Sequence, residues 1–364
     1  MYERKIKVAF FISNLGQGGA EKQFVSLIKN LDPLRFEKHL YLYAYQKEAF
    51  YKDIFGYQNI KAFTNKLKYK WSFLKIIQAG LYIRRNLRNE EYDLVISSLF
   101  MNNVLVRLFS PGKYKNKCIA NVRTSHSLYT KWHKLGEKIQ IKNSFLIFNS
   151  NNAWAHFKKL ISRKYHDRLY VIHNGFDIPK FIAPTSKMVF GCLGRLNVEK
   201  NIIQAVRVFQ AFEKNHPSVK LILQGHQGNQ YNDIVNLLDS ANIELRKEDP
   251  DIDKYFQAIR VLILPSLFEG CPNVLFEALL RRRICIISNG ANSDNFIVDG
   301  INGFVYDGTD QDLLNTLERV FNILDTETET SIIEAGYNYA AVNFSIDAMV
   351  NKYERLFLSI HESQ

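Results

Sequence analysis

The sequence predicts an α/β protein made of two doubly wound, Rossmann-like units. Three observations carry this expectation. Short β-rich runs alternate with longer amphipathic stretches, the pattern of a parallel sheet covered on both faces. The alternation pauses near residue 174 and restarts after residue 185. The length of 364 residues is too great for one ordinary domain and suits two.

The elements follow in order. Residues 6–13 read as a buried strand. Residues 20–31 read as a helix with Phe24, Leu27, Ile28 and Leu31 on one face. Residues 39–44, 94–98, 118–122 and 145–149 look like further strands, with helices over 71–89 and 152–161. Pro179 and Pro184 mark a linker over 174–186. Beyond it come strands at 189–193, 219–224, 261–264 and 284–288. Helices are expected between and after them at 201–215, 231–241, 272–281 and 310–324. The expected domains are 1–178 and 179–345, with a helix at 346–364 packing back on the first. Ligands of open α/β sheets bind outside the carboxyl ends of the strands, and two facing sheets leave a cleft. The residues after each strand are therefore the ones to read.

Composition narrows the classes. Apolar residues make up 46% and charged residues 23%, a globular balance. The net charge is +12, and it is one-sided. Residues 1–180 hold 32 basic and 12 acidic side chains, a net +20, whereas residues 181–364 hold 16 and 24, a net −8. A nucleic acid, an anionic membrane or an acidic ligand each accounts for such an excess. No apolar run approaches the ~18–20 residues of a membrane span. Val8-Ala9-Phe10-Phe11-Ile12 is too short for a secretory core and reads as a strand. Cys118, Cys192, Cys271 and Cys285 are scattered, without C-x-x-C pairs, which suits a reducing cytoplasm.

The most informative stretch runs from Leu264 to Ala278. A strand ends, a loop carries Glu269 and Gly270, and a helix opens near Pro272 after Cys271. Proline suits a first helical turn, and free amides there attract anions, so Asn273, Val274 and Leu275 would present N–H groups to a phosphate. Glu269 and Glu277 would reach two hydroxyl-bearing parts of one ligand; as a bland alternative, they are a loop carboxylate and a solvated helix face. The segment from Gly191 to Asn201 also follows a strand. Gly194 permits close backbone approach, and Arg195 with Lys200 suits a diphosphate. Near the start, Gly16, Gly18 and Gly19 form a glycine-rich turn before a helix. It is neither the dinucleotide fingerprint, because Glu21 takes the third glycine position, nor a P-loop.

Taken together, these segments resemble retaining nucleotide-sugar glycosyltransferases of family 4, which have the GT-B fold. Gly18-Gly19-Ala20-Glu21 is similar to the family's opening G-G-A-E. Asn149-Ser150 and Val171 to Asp177 are similar to its later landmarks in the first domain and linker. Gly194-Arg195-Leu196 with Lys200 is similar to its diphosphate segment, Pro265-Ser266 through Glu277 to its E-x7-E signature, and Asp299 to Gly303 to its D-G-x-x-G. The resemblance implies that Arg195 and Lys200 hold the diphosphate as leaving group. It implies that Glu277 binds the ribose, Glu269 the donor sugar, and the amides after Pro272 phosphate oxygens. His126, after the strand at 118–122, matches the family's active-site histidine; its bland alternative is a polar loop residue. Arg123 would face an acceptor phosphate. Glu269, His126, Arg195 and Lys200 form the expected catalytic set, and Gly18, Gly19, Gly194, Gly270, Cys271, Pro272, Asn273, Val274 and Glu277 complete the donor contacts. No metal or other cofactor is expected if two cations carry the leaving-group charge.

Three departures from the family pattern bear on the donor sugar. Arg281-Arg282-Arg283 stands where a small residue and Gly-x-Pro are usual, Asn295 where Glu is frequent, and Asn201 where Gly is common. A separate D-x-D, Asp249-Pro250-Asp251, has the form of a metal-binding pair, but it precedes an expected helix at 254–260 and reads as a cap.

The basic half interleaves cations with aromatics. Lys61, Lys66, Lys68, Lys70 and Lys75 surround Trp71 and Phe73. A second group is Lys113, Lys115, Lys117, Lys131, Lys134 and Lys138, with Tyr129 and Trp132. Such clusters suit an anionic leaflet, or are simply a solvated lysine-rich surface. Nucleic-acid binding is the rival class, but no zinc-finger, RNP-like or helix-turn-helix pattern is present. A GT-B nucleotide-sugar epimerase is the rival enzyme, and a sugar-binding module has no need of diphosphate cations. The sequence therefore points to a cytoplasmic glycosyltransferase, peripheral on the inner membrane face. It would use a UDP-linked sugar and a lipid-linked glycan acceptor.

Overall fold

The computed structural model describes residues 4–363, apart from 17, 45–50, 66–71, 124–135, 137, 139, 182, 184, 248 and 250; at 72 and 73 it describes the backbone only. The described chain forms two compact units, residues 1–175 with 346–364, and residues 176–345. Each is a parallel sheet flanked by helices, the α/β class expected.

In the first unit the strands are β1 (Ile6–Ile12), β2 (Phe36–Leu42), β3 (Ile60–Thr64), β4 (Leu94–Ser98), β5 (Cys118–Val122), β6 (Ser144–Phe148) and β7 (Leu169–Val171). Their order is β3-β2-β1-β4-β5-β6-β7. The helices are α1 (Gly19–Asn30), α2 (Ser72–Asn89), α3 (Phe100–Phe109), α4 (Asn151–Leu160) and, from the far end of the chain, a helix over Ile346–Glu362. Alternation along β1 sorts the core. Val8, Phe10 and Ile12 pack with Phe24, Leu27 and Ile28 of α1 and with Tyr353 and Phe357 of the C-terminal helix. Ala9 and Phe11 face the other way, toward Ala79 and Ile83 of α2 and Leu105 and Val106 of α3.

In the second unit the strands are β8 (Val189–Leu193), β9 (Lys220–Gln224), β10 (Ile243–Arg246), β11 (Val261–Leu264), β12 (Ile284–Ser288) and β13 (Phe304–Tyr306), ordered β10-β9-β8-β11-β12-β13. The helices are α5 (Ile202–Phe212), α6 (Tyr231–Asn236), α7 (Ile252–Ala258), α8 (Asn273–Leu279), α9 (Asp310–Ile323) and α10 (Glu327–Phe344); the C-terminal helix of the first unit is then α11.

Several boundaries differ from expectation. The edge strands β3 and β10 lie half open, so they lack the continuous apolar run that marks β1 or β11. α6 stops at Asn236 instead of 241, and α8 starts after Pro272 and stops at Leu279 instead of 281. Arg282 has φ +56°, a left-handed conformation no helix continues through. Asp251 caps α7, its Oδ1 accepting from the Asp253 amide at 3.2 Å, so this carboxylate of the D-x-D serves a helix end. Among the described residues no helix is long and apolar enough to cross a membrane.

Candidate functional site

The loops leaving β8 and β11 meet in the second unit. At the end of β8, Gly194 (φ +147°) donates its amide to the Gln224 carbonyl at 3.0 Å. Gly225 sits so close that a Cβ there would lie 1.8 Å from the Gly194 oxygen, so β8 and β9 finish with backbone against backbone. Arg195 then points outward, exposed, while Leu196 is buried. Asn197 braces the next turn: its Oδ1 accepts from the Asn229 amide at 3.1 Å and its Nδ2 donates to Glu199 Oε1 at 2.9 Å. That bond holds the Glu199 carboxyl below the usual carboxylate range. The Glu199 carbonyl accepts from the Leu267 amide at 2.9 Å, which ties the two loops together.

Across this junction Lys200 Nζ meets Glu269 Oε1 at 2.5 Å, and Ser266 Oγ donates to the same oxygen at 2.8 Å. The glutamate is 13% exposed and the lysine 24%, so the pair opens to solvent without being bathed in it. The Glu269 backbone is held as well. Its amide donates to the Gly290 carbonyl at 3.3 Å, and its carbonyl accepts from Ser293 Oγ at 3.1 Å. Gly290 is required there, because a Cβ would fall 2.1 Å from the Leu267 oxygen. Asn201 has φ +51°, so the residue standing where glycine is common adopts the conformation glycine is used for.

Gly270 and Cys271 lead to Pro272, the first residue outside α8, with Asn273 and Val274 in its first turn. Glu277 is 8% exposed, which corrects the alternative reading of a solvated helix face. The arginines that follow are structural. Arg281 reaches Asp253 at 2.6 Å and the Glu277 carbonyl at 2.8 Å. Arg282 pairs with Glu334 at 2.7 Å and lies 3.6 Å over the Tyr337 ring. Arg283 is buried, donates to the Phe256 carbonyl at 2.7 Å, and is pushed down to about 10 by that burial. Asp299 likewise closes a turn: it accepts from the Val305 amide at 3.0 Å and pairs with Arg319 at 2.8 Å, while Gly300 has φ +73°.

In the first unit Gly18 precedes α1, and a Cβ there would strike the Glu21 carboxylate at 2.0 Å. Gly19 opens the helix. Gln23, not singled out in the sequence, clasps the Gly175 backbone twice, donating to its carbonyl at 2.9 Å and accepting from its amide at 2.8 Å. Arg123, just after β5, donates to Asn174 Oδ1 and, at 3.2 Å, to the hydroxyl of Tyr353. Tyr353 in turn donates to Asn121 Oδ1 at 2.7 Å. His126 lies outside the described residues, as do Lys66, Lys68, Lys70, Trp71, Tyr129, Lys131, Trp132 and Lys134.

The structure thus brings Gly194, Arg195, Lys200, Glu269 and the residues leading into α8 into one connected pair of loops. Gly18, Gly19 and Arg123 belong to the other unit. Asn197, Glu199, Ser266 and Ser293, which brace the loops, were missed. Ser266, beside Pro265 at a strand end, carried the best available signal.

Residues 175–339, nearly all within the second unit, match the family model described as glycosyl transferases group 1. Over 325 residues the chain is 24% identical to the UDP-Gal:alpha-D-GlcNAc-diphosphoundecaprenol alpha-1,3-galactosyltransferase of Escherichia coli, covering 77% of this chain and 82% of that one. Over 296 residues it is 26% identical to the N-acetylgalactosamine-N,N'-diacetylbacillosaminyl-diphospho-undecaprenol 4-alpha-N-acetylgalactosaminyltransferase of Campylobacter jejuni, covering 75% and 78%. Its fold is similar to that of HepE from Anabaena, solved with UDP and glucose, at a TM-score of 0.78 and 18% identity over 97% of this chain and all of that one.

Proposed function

We propose that the protein is a retaining glycosyltransferase of the family 4 type. It moves a sugar from a nucleotide diphosphate, of which UDP is the best candidate, to a lipid-linked glycan in polysaccharide or O-antigen synthesis. The observation that carries this reading is the paired Lys200 and Glu269 beside the outward-facing Arg195, at the carboxyl ends of β8 and β11. The named substrates of the two bacterial relatives support the lipid-diphosphate acceptor.

The chemistry breaks the bond from the anomeric carbon to the diphosphate oxygen and forms one to an acceptor hydroxyl oxygen. Negative charge grows on the leaving oxygen as positive character grows on the sugar ring. Arg195 and Lys200 meet the first, with the amides of Asn273 and Val274 on phosphate oxygens. Glu269 holds donor hydroxyls and Glu277 the ribose. The hydroxyl proton passes to the leaving phosphate as attack occurs on the face that group vacates, which retains configuration. Arg123 and His126 serve the acceptor. Two cations supply the charge a metal would otherwise bring, so turnover is expected to survive EDTA.

Glu269→Ala and Lys200→Ala should each lower transfer by about 10²–10³-fold, the size of losing one preorganised electrostatic contact. A radiolabelled-sugar transfer assay measures it, with circular dichroism checking the fold. Full activity in either variant sinks the assigned roles. Conversion of the donor to its epimer, with no transfer when an acceptor is present, would establish the epimerase instead.

A further inference from the structure

The Glu269 carboxylate uses its two oxygens unequally. Oε1 accepts from Lys200 Nζ at 2.5 Å and from Ser266 Oγ at 2.8 Å. Oε2 accepts from none of the described residues. Ser266 is 0% exposed, and its backbone is fixed by the end of β12. Its carbonyl accepts from Ser288 Oγ at 2.5 Å, and that Oγ accepts in turn from the Ala291 amide at 3.0 Å. The loop after β12 also holds the other end of the segment. There the Gly290 carbonyl accepts from the Glu269 amide, and Ser293 Oγ donates to the Glu269 carbonyl. The stretch from Ser266 to Glu269 is therefore clamped at both ends, and the bond from hydroxyl to carboxylate joins two groups on a fixed frame.

The two holds on Oε1 respond differently to an anionic ligand. A diphosphate is doubly charged where the carboxylate carries a single charge, so it draws the Lys200 ammonium toward itself. The same charge repels Glu269. A neutral hydroxyl is not drawn away, and its bond to an ionised acceptor is of the strong kind. Resting on the sugar-transfer reading, we propose that Ser266 is a positioning residue for the reaction. It keeps Oε1 in place as the donor opens the Lys200–Glu269 pair, which leaves Oε2 for the donor hydroxyls. One carboxylate oxygen thus belongs to the protein and the other to the substrate. The Ser266 bond then matters more in the donor complex, where it holds Glu269 alone, than in the free chain, where Lys200 shares the load.

The test is a double-mutant cycle on transfer from the UDP-sugar that the parent turns over, with Ser266→Ala, Glu269→Ala and both together. Ser266→Ala should lower kcat/KM at least ~10-fold, the worth of a hydrogen bond to a charged group expressed as a rate. In the Glu269→Ala background the same change should lower it less than about threefold, because a residue that acts only through Glu269 has nothing left to hold. UDP lacks the sugar, so the thermal shift it gives should be no smaller in Ser266→Ala than in the parent. A purely structural role would weaken UDP binding and transfer together. A smaller loss in Ser266→Ala, a loss undiminished in the Glu269→Ala background, or a reduced UDP shift overturns the proposal. Full activity in Glu269→Ala would instead sink the sugar-transfer roles themselves. An active Ser266→Ala beside an impaired Glu269→Ala leaves those roles standing and removes this one.

Discussion

Two buried cations, Arg260 in the second unit and Lys38 in the first, are answered differently, while Arg283 of the second unit resembles Lys38 in donating to a backbone carbonyl. In the second, Arg260 is buried and fully answered: its Nε and one terminal nitrogen hold both oxygens of the buried Glu329, at 2.7 and 2.5 Å, and Asp325 takes a further bond at 2.7 Å. In the first, Lys38 is 0% exposed and its ammonium donates to the Leu31 carbonyl at 2.9 Å, with Asp32 and Glu354 attracting it only from further away. The difference between Arg260 and Lys38 follows from which carboxylates lie beside each. The first half has 12 acidic residues against 32 basic ones, and several are already engaged by other cations, Asp93 with Arg4, Glu90 with Lys7, and Glu37 with Lys61. The second half has acids to spare. In the first half most of the surplus positive charge stays outside, where a partner of opposite sign can meet it.

Breaking the second unit's arrangement should have the largest effect. Glu329→Ala leaves Arg260 buried with only the exposed Asp325 beside it. Removing one member of a buried pair costs roughly 3–5 kcal/mol. Urea unfolding followed by hydrogen exchange at the β11 amides measures the loss, and one below about 1 kcal/mol would show that the pair does not hold the unit. Arg260→Met with Glu329→Leu should restore most of the stability, because the desolvation cost of both charges disappears with them.

The same contrast governs what was legible in the sequence. Buried central strands such as β1 and β11 announce themselves as apolar runs, so the fold class and most elements were readable. Edge strands and short caps were not, because their pairing partners and turn geometry are set by tertiary contacts. Within the site, the strand-end positions of Gly194, Lys200 and Glu269 were readable from order and residue type. Their bracing by Asn197, Ser266 and Ser293 was not, since it joins loops 69 residues apart at Lys200 and Glu269. The triple arginine was legible only as a departure from the family pattern, and the contacts its members make within the unit were not. Its members serve an ion pair with α7, an aromatic stack and a buried carbonyl, roles that no local pattern distinguishes from substrate contacts.

A smaller effect is expected at Lys38, and it carries a pH signature. Burial pushes its ammonium down from the usual 10.5 to about 8. Below pH 8 both folded and unfolded chains hold the proton, and the folded state bears the cost of a buried charge, about 3 kcal/mol for a shift of this size. Between pH 8 and 10.5 the unfolded chain holds more protons than the folded one, so stability rises with pH. Lys38→Met keeps the volume and loses one hydrogen bond. It should be more stable than the parent by about 1–3 kcal/mol at neutral pH, with the advantage gone near pH 10.5. A difference that does not change with pH would mean that the ammonium is answered after all, and the contrast with Arg260 would fail there.

The smallest effect sharpens the comparison where the first unit does have neutral partners for a cation. Arg123 is held by Asn174 and by the Tyr353 hydroxyl, and that hydroxyl is itself held by Asn121. Tyr353 comes from α11, so the last helix of the chain fixes the side chain that follows β5. Tyr353→Phe keeps the ring in its core and removes only the hydroxyl. Asn174 still engages the guanidinium, so the loss should be about 1 kcal/mol, the net value of a hydrogen bond. Urea titration of the variant beside the parent measures it. A loss above about 3 kcal/mol would mean that Asn174 alone does not hold Arg123 and that its charge is left unanswered, as a severed buried pair would leave it. No loss would mean that solvent replaces the hydroxyl, and that the α11 layer contributes ring packing and nothing polar to the end of β5.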